Sequence, residues 1–293
     1  MLKRVGLFLL TNFLVILTVG IILSIVLPML GIDPSSITGL AIFCGIFGMG
    51  GAFISLAISR WMAKRAYSIQ LIQANEKDYQ LREIYEMVAR LSKKAGLPSV
   101  PEVGIYQSPE PNAFATGPSK KKSLIAFSTA LLNSMDKSEV EAVTGHEIAH
   151  ISNGDMVTMT LLTGIVNALV MFLARIIAAA INNFLRSDDG EGLGFFAYFL
   201  VVNLLQTFFM IIATIPIAAF SRYREYQADA GSAKTTSARA MANALKTLAS
   251  GAQVQTKKDS FAIAKISSNR KVSLWATHPS IEDRVARLEK MRG

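Results

Sequence analysis

Four long runs without a charged side chain constrain this chain more than any other feature. Residues 5–32, 34–59, 156–174 (continuing past Arg175) and 192–221 are each predominantly apolar. Crossing a hydrocarbon core of about 30 Å takes about 20 helical residues at 1.5 Å each. Within that core, backbone amides must be satisfied inside the segment, which a helix does. A hydrophobic content of 51% and a mean hydropathy of +0.38 exceed what a soluble domain needs. Lys3 and Arg4 precede the first run as they would in a signal peptide. That run is longer than an h-region of about 7–15 residues, and Leu27-Pro28-Met29-Leu30 is no small-residue cleavage site. It is expected to remain as an anchor.

Charge placement orients these spans. Lys3 and Arg4 stand before the first, and Arg60, Lys64 and Arg65 follow the second, while the connection at 31–36 carries only Asp33. The positive-inside rule then puts the amino terminus in the cytoplasm and the short connection outside. The acidic stretch from Arg186 to Glu191 falls outside by the same logic. The expected domains are 1–59 with two transmembrane helices and 60–155 as a cytoplasmic catalytic part. Residues 156–220 give two more spans around a short external loop, and 221–293 a second cytoplasmic catalytic part. Arg175 leaves a re-entrant third span open. A net charge of +9 could suggest nucleic acid, but the basic residues flank spans and no nucleic-acid motif is present. An anionic inner leaflet accounts for the excess, so the bilayer is the expected partner. The sole cysteine, Cys44, excludes an intrachain disulfide and reads as a packing residue.

Between the second and third runs, the pattern predicts a helical continuation over 60–68 and a helix over 78–94. Leu81, Ile84, Val88 and Leu91 form the apolar stripe of the latter. Residues 103–106 and 124–127 read as strands, and 111–117 with Lys120-Lys121-Lys122 as a solvated turn. A helix from Asp136, capped with Glu139, ends near Asn153-Gly154-Asp155. After the fourth run, helices are expected over 237–250 and 280–290, the last started by Ser280 with Asp283. The stretch 251–271 reads as loop. The expected fold class is thus an α-helical membrane protein with an α+β domain, mainly helix with a small sheet.

The helix from Asp136 carries His146-Glu147-Ile148-Ala149-His150, the HExxH pattern of zinc peptidases. Four residues turn a helix by about 400°, so both imidazoles share one face and can bind one tetrahedral ion. Glu147, rotated by about 100°, suits a base holding the attacking water. A catalytic zinc needs a third protein ligand and one open position. No HxxGxxH continuation follows His150. Glu225 is the best donor, just beyond the fourth span on the same side. Asp229, one turn later, is placed to hold the non-ligating nitrogen of a histidine. His278, before Pro279, is either a structural loop histidine or a donor stabilising the oxyanion.

Together with Asn112-Ala113-Phe114-Ala115-Thr116-Gly117, Glu225-Tyr226-Gln227-Ala228-Asp229 and Thr277-His278-Pro279, this pattern resembles the HtpX family. These are bacterial membrane proteases related to the CAAX prenyl protease group, with a gluzincin-type site. The resemblance spans nearly the whole chain. It implies one zinc per chain on His146, His150 and Glu225, catalysis by Glu147, and Asn112 and His278 near the substrate. It also implies a place in the bacterial inner membrane and turnover of damaged or misassembled membrane proteins.

The expected reaction is peptide-bond hydrolysis with Glu147 moving the proton, on membrane-protein or unfolded polypeptide substrates aligned by 112–117 or the neighbouring strand. Intramembrane cleavage is the first alternative, but Asp136, Glu139, Glu141 and Asp155 bracket the motif. An inactive zinc-binding scaffold is the second, and it would have no use for Glu147.

Overall fold

The computed structural model describes residues 21–186, 192–256 and 276–291. In chain order the elements are α1 (helical at 21–29), α2 (Ile37–Ala66), β1 (Gln70–Ile72), α3 (Tyr79–Lys94), β2 (Glu102–Tyr106), β3 (Ala113–Ser119) and β4 (Lys122–Ser128). There follow α4 (Thr129–Ser134), α5 (Lys137–Asn153), α6 (Asp155–Phe184), α7 (Phe195–Thr235), α8 (Ala238–Thr256) and α9 (Ile281–Lys290). Among the described residues helix predominates, with one small mixed sheet. The chain divides into two compact units: Met1–Phe53 with Leu162–Ala213, and Ile54–Leu161 with Thr214–Gly293.

In the first unit the elements are stretches of long apolar helix. Among the described residues, α2, α6 and α7 are long and apolar enough to cross a membrane. Most of the first expected span, and the acidic residues 187–191, lie outside the described residues. Large apolar side chains such as Leu169, Leu173, Phe199, Leu204 and Phe208 stay exposed, as a lipid-facing surface requires. Helix α6 runs unbroken through Arg175, whose guanidinium donates to the Met171 carbonyl at 3.1 Å and lies 5.4 Å from the Phe43 ring. The segment is one continuous helix, Asp155–Phe184.

The second unit is a sheet with helices against it. The strand order is β1-β2-β4-β3, with β2 and β4 parallel and the outer pairs antiparallel. The stripe on α3 buries Val88 and Leu91 against Val103, Ile125 and Phe127 of the sheet and Ile148 and Ile151 of α5. Asp78 caps α3 by accepting from the amides of Gln80 and Leu81. A second apolar cluster joins Ala142 of α5 to Met241 and Leu245 of α8 and Val285 and Leu288 of α9.

Two expectations are corrected, and one strand is added. Residues 113–117, read with 111 and 112 as part of a solvated turn, belong to edge strand β3. Only Lys120 and Lys121 make the turn, and Lys122 opens β4. Strand β1 was not anticipated. Helix α8 continues through Gly251 to Thr256, because a lone glycine costs a helix only about 1 kcal/mol. The rest of the expected loop, 257–271, lies outside the described residues.

Candidate metal centre

Helix α5 is fixed at both ends by local chemistry. At its start, the Asp136 carboxylate accepts from the Glu139 amide at 2.9 Å, and Glu139 accepts from the Asp136 amide at 3.2 Å. This reciprocal box satisfies two donors that the first turn leaves open. At its end, Gly154 adopts φ 75°, a conformation that favours glycine, and its amide caps His150 and Ile151 carbonyls. The chain turns there and Asp155 immediately opens α6. Ile148, Ala149 and Ile151 are buried in the core, which holds the helix in rotation.

Helix α7 crosses α5 at very short range. A Cβ on Gly231 would stand 2.5 Å from the Cβ of Ala149, so only glycine permits this approach. Next to it, Ser232 donates from Oγ to the Ala142 carbonyl at 2.6 Å. Glu225 and Asp229 lie on the same face of α7, at helical spacing from Ser232. The crossing therefore brings both carboxylates to the histidines.

Two ring nitrogens and one carboxylate converge. Nε2 of His146 and Nε2 of His150 are 3.1 Å apart, and the Glu225 oxygens lie 3.6 Å and 3.5 Å from them. A tetrahedral ion with ligands at 2.0–2.1 Å spaces them by about 3.3 Å. The far sides of the rings meet carboxylates. Nδ1 of His150 is 2.6 Å from Oδ2 of Asp155, and Nδ1 of His146 is 3.0 Å from Oδ1 of Asp229. The second pair has the distance of a hydrogen bond but not its angle, so its attraction is chiefly electrostatic. Carboxylates at Nδ1 favour a proton there and leave each Nε2 lone pair aimed at the shared point.

A cationic brace stands behind Asp229 and Glu225. Arg284 of α9 donates from Nε and Nη2 to Asp229 at 2.8 Å and 2.6 Å, a two-pronged contact. Its Nη1 is 3.4 Å from Glu225. His278, largely exposed, places Nδ1 3.3 Å from Oε2 of Glu225.

Glu147 points into a cleft of about 420 Å³ that Asn112, Phe114 and Ala115, next to and in β3, also line. Burial pushes its carboxyl above the usual range, against the pull of His146 and His150 and the Ala115 amide. Burial would lower both histidines, but their carboxylate neighbours outweigh it. His146 is raised by Asp229 and Glu225, and His150 is raised to about 9 by Asp155 and Glu225.

The structure thus brings His146, His150 and Glu225 together, with Asp229 behind His146 and Glu147 beside them. Asn112 lines the cleft, its backbone locked to Ser128 through both amide and carbonyl. His278 reaches the Glu225 carboxylate. Sequence reasoning missed Asp155, Arg284 and the strand character of 113–119. An acid just past the αL glycine of a catalytic helix was the available signal for Asp155. Arg284 carried none, lying 55 residues from its partner.

Residues 76–292 match Peptidase family M48. Protease HtpX of Shewanella sp. (strain MR-4) is 47% identical over 290 residues, 98% of this chain and 99% of the relative. Protease HtpX of Aeromonas hydrophila is 47% identical over 292 residues with the same coverage. The crystal structure of S. mikatae Ste24p aligns at a TM-score of 0.62 and 20% identity over 97% of this chain. This chain spans 65% of that one's length, and the likeness speaks for the fold alone. The chain belongs to peptidase family M48, as an HtpX protease homologue and a membrane-bound metalloprotease.

Proposed function

We propose that the chain holds one zinc ion on His146, His150 and Glu225 and cleaves peptide bonds with Glu147 as the proton carrier. The observation that carries this reading is the convergence of two ring nitrogens 3.1 Å apart with the Glu225 carboxylate, one oxygen of which lies 3.6 Å from His146 and the other 3.5 Å from His150. Two imidazoles and a carboxylate are a donor set that zinc accepts, with one tetrahedral position left over. When bound, the ion would supply Lewis acidity to the scissile carbonyl and the attacking water.

The protein's own groups do the rest. Glu147 takes a proton from the water and returns it to the leaving amine, and its raised affinity for a proton suits both steps. Asp155 and Asp229 fix the histidine rings. Strand β3 has no further strand beside it among the described residues, so an extended substrate can add to that edge by backbone pairing. Such pairing ignores side chains, which fits loose selection among unfolded segments.

The substrates on this reading are cytoplasmic regions of damaged or misfolded membrane proteins, and the site faces the cytoplasm of a bacterial inner membrane. Arg60, Lys64 and Arg65, at the end of α2, support that orientation. Charged pairs beside α5, Lys137 with Glu83 and Arg90 with Glu141, speak against cleavage within lipid. The test compares purified wild type with Glu147→Gln on casein, with and without a chelator. Cleavage by the wild type alone, lost with chelator, is expected; equal cleavage by both proteins would refute the role of Glu147.

A further inference from the structure

A group of cations without acidic partners stands where the HExxH helix turns toward the membrane. Gly154 joins α5 to α6, and no charge follows Asp155 until Arg175. Entry of α6 into the hydrocarbon places this turn at the level of the headgroups, a layer of about 5–7 Å on each face. The hairpin of β3 and β4 ends against it, with Cε of Lys120 3.7 Å from where a Cβ on Gly154 would stand. Gly117, at φ 143°, lets the two strands close, since a Cβ there would collide with the Lys122 carbonyl. The Lys122 amide donates to Oγ of Ser119 at 3.2 Å, and the Lys121 carbonyl accepts from the Ser99 hydroxyl. Lys120, Lys121 and Lys122 are thus carried on a fixed turn, and all three are exposed. At the same junction Arg224 of α7 donates from Nη1 to the Asp155 carbonyl at 3.4 Å, and its Nε is buried without a partner. These residues all belong to the second compact unit.

Among the described residues, none of these four cationic side chains pairs with an acid. Arg60 and Lys64 at the end of α2, by contrast, share Glu102, and Lys137 is paired with Glu83. Uncompensated cations at a bilayer surface attract anionic lipid, and a guanidinium with an N–H to spare suits a phosphate oxygen. We propose that Lys120, Lys121, Lys122 and Arg224 form a binding surface for anionic phospholipid headgroups, with the lysine turn resting on the bilayer and Arg224 taking a phosphate. Strand β3 runs from the cleft to these lysines, so the contact holds the edge offered to substrate at a fixed height above the lipid.

The experiment follows amide hydrogen exchange of the full-length protein in nanodiscs of phosphatidylcholine alone or of an equal mixture with phosphatidylglycerol. A lysine near an anionic surface gains roughly fivefold in binding, so exchange over 113–122 should slow by roughly fivefold or more in the mixed bilayer. Helix α9, which contributes nothing to this surface, should exchange alike in both and serves as the check on folding. Salt at about 1 M, where charges are screened beyond about 3 Å, should remove the difference. Replacing the three exposed lysines together by Gln should abolish it, and Arg224→Gln should weaken it. Equal exchange in the two bilayers, or full slowing that survives in either variant, would overturn the proposal. Equal slowing in phosphatidylcholine alone on addition of inorganic phosphate or a soluble poly-glutamate peptide would also overturn it, by assigning the surface to a free anion or an acidic polypeptide.

Discussion

Oδ2 of Asp155 stands 2.6 Å from Nδ1 of His150, so the first residue of an apolar helix orients the last residue of the HExxH motif. The link depends on Gly154, whose left-handed turn brings the chain back on itself between α5 and α6. Asp155→Asn keeps the shape but removes the charge that makes His150 a strong donor. Zinc affinity is expected to fall about 10–100-fold. Competition with a chromophoric chelator reads this directly.

The metal-free site should bind protons where zinc would sit. His150 is held at about 9, so at pH 7 zinc must displace its proton. Apparent zinc affinity should therefore rise with pH through the range below 9, about tenfold per unit for each proton released. Isothermal titration in buffers of different ionisation enthalpy counts those protons. The same shift fixes the sign for stability without metal. Because the folded value lies above the unfolded value of about 6.5, the contribution of His150 is complete below about 6.5 and is lost as pH rises through 9. Thermal unfolding of chelator-stripped protein across that window should show this downward contribution.

Breaking the buried pair behind the site should be costly. Arg284→Met leaves the Asp229 carboxylate buried without its two-pronged partner. A loss of about 3–5 kcal/mol is expected from denaturant titration. The double variant Arg284→Met with Asp229→Leu should recover part of that stability while leaving His146 without its carboxylate. Zinc affinity would then stay low even as stability returned.

How much of this was legible in the sequence follows from the range of each signal. The catalytic helix was fully marked, because the Asp136–Glu139 box, the histidine spacing and the closing Gly154 are all local. Glu225 and Asp229 were legible through their one-turn spacing beyond an apolar run. Strand β3 was not, since Pro111, Asn112, Gly117 and Pro118 are turn formers. The strand tolerates them by being an edge, with a register shift between Thr116 and Ser119. Its inward residues Ala113 and Ala115 are too small to give a hydrophobic alternation. Arg284 was illegible because α9 reads as a charged surface helix, and only the tertiary contact with Asp229 shows that this one arginine is buried.

The helix crossing makes a separate prediction. Gly231→Val would put a side chain where Ala149 already stands. Helix α7 must then move off α5 and carry Glu225 with it. Overpacking of this kind costs about 1–3 kcal/mol. The loss of zinc affinity should exceed what that destabilisation explains, and comparing chelator competition with thermal unfolding separates the two.

The metal content of carefully purified protein tests the central claim most directly. Wild type and Glu147→Gln should each carry one zinc per chain by mass spectrometric metal analysis. His146→Ala, His150→Ala and Glu225→Ala, still folded, should carry almost none. Full zinc content in Glu225→Ala, or an empty wild type that fails to load when zinc is supplied, would contradict the account.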